Sequence, residues 1–92
     1  MANAIITFKV MPESPDVNFE EIAEKSEAIC KENGAKGDTK SEIKPLAFGL
    51  KQVMVYGMFE VEGGDFDAIA AKMNELEGVQ SAEVENMDLA MG

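Results

Sequence analysis

Apolar and polar residues alternate along "AIITFKVMP" (residues 4–12), with Ile6, Phe8 and Val10 on one side of a period-two repeat. That spacing predicts a strand. Pro12 and Pro15 then frame a loop, and beyond it the period changes. Phe19, Ile22, Ala23, Ser26, Ile29 and Cys30 follow helical spacing. Asn18 is placed to cap that helix, and Glu21, three residues on, to complete a capping box. Gly34 is a suitable stop. "KGDTKSEIKPLAF" (36–48) reads as a weaker, polar strand; Pro45 lacks an N–H, so the strand belongs at a sheet edge or carries a bulge. "LKQVMVYGMFEVE" (50–62) is the strongest strand pattern. Val53, Val55, Phe59 and Val61 face one way with Gly57 among them, and Met54, Tyr56 and Met58 face the other. Gly63-Gly64 breaks it. Asp65 opens a second helix with Phe66, Ile69, Ala70 and Met73 as its apolar stripe, and Gly78 closes it. "VQSAEVENM" (79–87) gives a last short strand.

The element order is therefore βαββαβ, in two halves that each read strand, helix, strand. No linker or low-complexity tract intervenes, so residues 1–92 form one domain. Right-handed crossovers on an antiparallel sheet give an α+β, ferredoxin-like sandwich. The expected strand order is 4-1-3-2, with both helices on one face. That order puts the Pro45 strand at an edge, as proline requires.

Charge narrows the function classes. There are 18 acidic and 8 basic residues, and every basic residue is Lys. Without Arg or His the chain lacks the fork that reads phosphates and bases bidentately, so nucleic-acid and anionic-membrane binding are poor readings. The imbalance is uneven. Residues 36–51 hold Lys36, Lys40, Lys44 and Lys51 against Asp38 and Glu42, whereas the remainder holds 4 Lys against 16 acids. Lysines there also suit a solvated edge strand that resists aggregation. No apolar run reaches the length of a membrane span, and a single cysteine with no secretory signal fits a reducing cytoplasm.

The residues for bond-making chemistry are missing. There is no His for acid–base work. Cys30 has no Cys partner for a metal or redox pair, and its place on the apolar helix face reads as a small buried hydrophobe. Gly63-Gly64 belongs to no phosphate-binding fingerprint. The acidic pairs Glu20-Glu21, Asp65/Asp67 and Glu83/Glu85 read as solvated faces and helix-start charges. No catalytic residue, metal site or cofactor is expected. What remains is a surface for binding. Phe48 stands at a Pro/Gly break between two strands. It is either a plug folded back under the sheet end or an exposed aromatic anchor. Tyr56 with the Met54/Met58 row is a second candidate patch, on the open sheet face.

Three stretches together resemble the elongation factor 1-beta family: "KVMPES" closing the first strand, "EIKPLAFGLKQVMV" across strands two and three, and "LEGVQSAEVENM" near the end. The resemblance spans nearly the whole chain, and Pro45 through Lys51 is its most specific piece. Length, and the lack of an extension before the first strand, look like the short archaeal form. The resemblance implies the fold reached above. It also implies acceleration of GDP release from elongation factor 1-alpha, the GTPase that delivers aminoacyl-tRNA. In relatives the Phe of this motif touches the GTPase, which favours the anchor for Phe48. Pro45 and Gly49 then shape the loop that presents it, with Lys44 and Lys51 beside it. Eukaryotic relatives place a Lys near the extreme C-terminus, at the GTPase's magnesium site. The matching position here is Leu89, and no Lys follows Lys72. The tail is then left with apolar contacts through Met87, Leu89 and Met91, or is a frayed terminus. In the expected topology the Phe48 loop and the tail lie at opposite sheet ends, roughly 27 Å apart for a strand of about eight residues. The competing reading is a small-ligand regulatory module of the same fold. The oligomeric state is not legible.

Overall fold

A computed structural model describes residues 3–62 and 65–89. Gly63-Gly64, read above as a strand break, and Met91 of the tail lie outside the described residues. Four strands, β1 (Asn3–Pro12), β2 (Lys36–Pro45), β3 (Lys51–Glu60) and β4 (Val79–Leu89), form one antiparallel sheet in the order β2-β3-β1-β4. This is the expected 4-1-3-2. Helices α1 (Phe19–Glu32) and α2 (Phe66–Asn74) pack on the sheet, α1 over β2 and β3 and α2 over β4 and β1.

The period-two face of β1 is the centre of the core. Ile6, Phe8 and Val10 are fully buried, as are Val53 and Val55 of β3. Ile22, Ala23 and Cys30 of α1 and Ile69, Ala70 and Met73 of α2 close over them. Phe59 joins the two halves, with its ring edge-on to Phe8 at 6.2 Å and to Phe66 at 5.5 Å. A second tie links α1 to the edge strand. Both oxygens of the Glu27 carboxylate accept hydrogen bonds, from the Thr39 and Ser41 hydroxyls, each at 2.7 Å.

The helix starts follow the sequence closely. Asn18 accepts from the Glu21 N–H at 3.0 Å and Asp65 from the Ala68 N–H at 3.1 Å. The capping box at α1 is only half made. The Glu21 carboxylate pairs with Lys25 at 2.8 Å, one turn on. That hydrogen bond, together with the charge, holds the Lys25 proton more tightly than usual. At the other end the Ala35 N–H reaches back to the Cys30 carbonyl at 3.0 Å, with Gly34 left-handed between them at φ 102°.

Four expectations change. β2 ends at Pro45, three residues before the sequence pattern suggested, because Ala47–Gly49 forms a single 3₁₀ turn. β3 is trimmed to Lys51–Glu60. α2 stops at Asn74, four residues before Gly78. The Glu75 N–H bonds to the Lys72 and Met73 carbonyls and the Leu76 N–H to that of Met73, which unwinds the last turn. Gly78, at φ 88°, instead sits in the turn just before β4 and takes the Glu13 N–H on its carbonyl at 2.9 Å. Finally, β4 runs on to Leu89: Met87 pairs with Ile6, Asp88 with Ile5 and Leu89 with Ala4. Through Leu89 the tail is strand, which corrects the frayed-terminus alternative over those residues.

Candidate functional site

Five residues, Leu46 to Leu50, join β2 to β3. Leu46 is extended (φ −118°, ψ 177°), and its N–H donates to the Leu50 carbonyl at 2.6 Å; the Leu50 N–H returns to the Ala47 carbonyl at 3.3 Å. To turn within that frame the chain passes through two consecutive left-handed residues. Gly49, at φ 77°, is the ordinary solution. Phe48, at φ 64° and ψ 29°, is not: a bulky side chain there costs about 1–2 kcal/mol. It is the one non-glycine residue with positive φ among the described residues. Such strain persists only where its surroundings impose it, and it concentrates at functional positions. The ring it presents is 97% exposed. The core-plug alternative is thereby excluded; the break in the pattern at Pro45 and Gly49 turns an aromatic ring outward.

Leu46, at 37% exposed, lies two residues before Phe48, and Ile43, at 38%, stands near the end of β2 opposite Val53, so both add apolar surface to the hairpin that carries the ring. Its rim carries lysines. Lys44 is 3.8 Å from Glu42, and Lys51, paired across the hairpin base with Pro45, has its Nζ 5.7 Å from the centre of the Phe19 ring. Of the sequence-predicted site residues, the structure thus brings together Lys44, Pro45, Phe48, Gly49 and Lys51.

Met87 and Leu89 are elsewhere. They are exposed and stand opposite Ile6 and Ala4, at the other end of the sheet. Residues paired across strands share a face, so both belong to the helix-side face. A nine-residue α2 is about 13 Å long and cannot cover an eleven-residue β4 of about 37 Å, so the strand end overhangs. Exposed apolar residues therefore mark both ends of a domain 42 Å long. Among the described residues no lysine stands at the Met87–Leu89 end of β4; Asp88 does, and its carboxylate accepts from the Asn86 amide at 2.8 Å.

The second candidate patch is less open than its sequence suggested. Met54 is 7% exposed although it lies on the open sheet face, and Tyr56 and Met58 are half-buried. In register their neighbours are Lys36, Lys40 and Glu42 on β2 and Ile5, Thr7 and Lys9 on β1, a largely polar surround. Nor do the clefts favour a metabolite. Two of about 260 and 280 Å³ lie beside the helices; the first is walled by Glu13, Glu21, Glu77 and Lys25 and the second includes Glu60, Glu62 and Asp65. Sites for small ligands run from about 300 to 1,000 Å³ and are mostly apolar. Among the described residues no cluster of His, Cys, Asp and Glu is arranged to hold a metal ion. Cys30 is buried, and desolvation pushes its thiol up to about 12, which keeps it protonated and unreactive. No helix among the described residues is long and apolar enough to cross a membrane.

Comparison with known proteins returns one consistent answer. The sequence profile of the EF-1 guanine nucleotide exchange domain family matches residues 5–89. Elongation factor 1-beta of Methanococcus maripaludis (strain C6) is 43% identical over 89 residues, covering 97% of this chain and 99% of the relative. Elongation factor 1-beta of Pyrococcus abyssi is 42% identical over 86 residues, and that of Thermococcus kodakarensis 41% over 86, each match covering 92% of both chains.

Proposed function

This chain belongs to the EF-1 guanine nucleotide exchange domain family, and on that footing we propose that it exchanges GDP for GTP on elongation factor 1-alpha, with the Phe48 loop as its principal contact. The observation that carries the choice of contact is the Phe48 ring, held in a strained left-handed conformation and 97% exposed. An aromatic ring that is already exposed leaves no core contact behind on docking, so its burial in the partner goes into affinity.

An exchange factor forms no bond. It binds the nucleotide-free GTPase more tightly than the nucleotide-bound one, and by linkage the nucleotide's affinity falls by the same factor. Its leverage is limited to that difference in affinity. Phe48, Pro45 and Gly49 supply the anchor, with Lys44 at its rim. Met87 and Leu89, at the far end of the domain, supply a second, weaker apolar contact. Both ends touch the partner only if it offers a surface comparable to the 42 Å length of the domain, which a multidomain GTPase does. With leucine at position 89 the tail brings no ammonium to a magnesium site, so the affinity difference has to come from the conformation that the two contacts favour in the GTPase. A translation factor of this kind acts in the cytoplasm.

The test is release of a fluorescent GDP analogue from elongation factor 1-alpha, compared between the native protein, Phe48→Ala, and Met87→Ser with Leu89→Ser. The native protein accelerates release, Phe48→Ala loses most of the acceleration, and the tail variant loses less. A silent Phe48→Ala beside an inactive tail variant would reverse the assignment of the two contacts.

A further inference from the structure

The hairpin that carries Phe48 has a weak base. Pro45 and Lys51 are its last paired residues, and Pro45 has no N–H to contribute to that pair. Beyond them the loop closes on two backbone hydrogen bonds, at 2.6 and 3.3 Å, and none of Ala47, Phe48 and Gly49 is buried. Such a loop would swing about its base unless something ties it to the body of the domain. The helix layer offers one tie. Phe19, the first residue of α1, is partly buried and packed against the core, which fixes its ring. The Lys51 Nζ stands 5.7 Å from the centre of that ring, within the range of a cation–π contact.

The geometry points to Lys51 as a positioning residue: its ammonium, seated at the Phe19 ring, ties the base of the Phe48 loop to the first turn of α1. This reading rests on the proposed exchange function, and it assigns Lys51 a different role from the direct partner contact that its place in the motif suggests. Lys44, on the opposite side of the hairpin, pairs with the exposed Glu42 and, among the described residues, with no ring, which leaves it to meet the partner. The aromatic ring is the necessary part of the tie. Leucine at position 19 retains apolar packing but has no negative π-face for the ammonium, whereas tyrosine keeps that face.

The test is a double-mutant cycle read in the exchange assay with the full chain. Lys51→Met keeps the stem of the lysine and removes its charge; Phe19→Leu removes the ring. Each is expected to lower exchange about two- to fivefold, the size of one solvent-exposed cation–π contact. The double variant should fall no further than the weaker single, because both remove one interaction. Phe19→Tyr should behave as the native protein. The losses should appear at low factor concentration and vanish at saturation, since the docked loop is held by the partner. A second readout needs no GTPase. Backbone ¹⁵N relaxation on the free protein should show residues 46–50 gaining fast motion in both single variants while the helices stay as they are. Three results would overturn the inference: Lys51→Met impaired with Phe19→Leu at the native level, which makes Lys51 a partner contact; additive losses in the double variant; or relaxation at residues 46–50 that neither substitution changes. Should the native protein fail to release nucleotide, the exchange function is wrong, and the relaxation experiment still decides whether the tie exists.

Discussion

Replacing Phe48 by glycine separates what this residue does for the fold from what it does for the partner, because the two effects have opposite signs. The ring is 97% exposed, so its removal opens no cavity and uncovers no core surface. The backbone at φ 64° is relieved of about 1–2 kcal/mol once the Cβ is gone. Against that, glycine gives the unfolded chain more freedom, worth about 0.4–1 kcal/mol. The net is a gain of about 0–1.5 kcal/mol, or up to about 12 °C in Tm for a domain of this size. Phe48→Ala keeps a Cβ at the same φ and serves as the control; it should melt close to the native protein. Binding moves the other way in both variants. Loss of an aromatic anchor costs about 2 kcal/mol or more, close to a thirtyfold drop in productive association. Thermal melts by circular dichroism and GDP-release assays on the same samples give both quantities. Had Phe48 been a core residue, either variant would lose about 3–5 kcal/mol of stability. A fall in Tm of that order, with specific exchange activity intact, would make Phe48 a core residue and not a partner contact.

Other substitutions test the rest of the account. Met87→Ser combined with Leu89→Ser should lower exchange by less than tenfold, about 1.4 kcal/mol, and so by less than either Phe48 variant; nucleotide-release rates decide the order. Gly57→Ala puts a Cβ 2.9 Å from the Phe59 ring in the middle of β3 and should destabilise the fold by about 1–3 kcal/mol, measured by urea unfolding. The Cys30 thiol, pushed up to about 12 by burial, should resist a thiol-reactive probe at pH 8 in the folded protein and react once urea unfolds it. Its raised value also sets a sign. The folded state holds this proton more tightly than the unfolded state, so the stabilisation is complete below the unfolded thiol's pKa near 9 and is lost as pH rises from there towards 12. Melting curves of the native protein and Cys30→Ala should therefore converge over that interval.

The core and the topology were legible because burial imposes a period. Ile6, Phe8 and Val10 alternate since their strand has one covered face, and α1 shows a 3.6-residue stripe because one side meets the sheet. Pro45 located the edge strand through its missing N–H. The misjudged ends have a common origin. In "ELEG" the apolar Leu76 continues the helical pattern, and nothing before Gly78 marks a stop, although the backbone has already turned at Glu75. β4 looked two residues short because the polar Asp88 follows Met87; its length is set by pairing with β1, a contact that its own composition does not record. At the site, Pro45 and Gly49 announced a turn and left the direction of Phe48 open, since no sequence pattern favours phenylalanine in the left-handed region. The Phe19–Lys51 contact lay wholly out of reach, because it joins a helix start to a hairpin base across the fold.

The measurement closest to the central claim is release of a fluorescent GDP analogue from elongation factor 1-alpha, followed at a fixed GTPase concentration while the native protein is added at substoichiometric amounts. The account predicts that release accelerates in proportion to the added protein and that one molecule acts on many GTPases, because the factor leaves when GTP binds. A release rate that stays at its intrinsic value as the protein approaches and passes equivalence would contradict it.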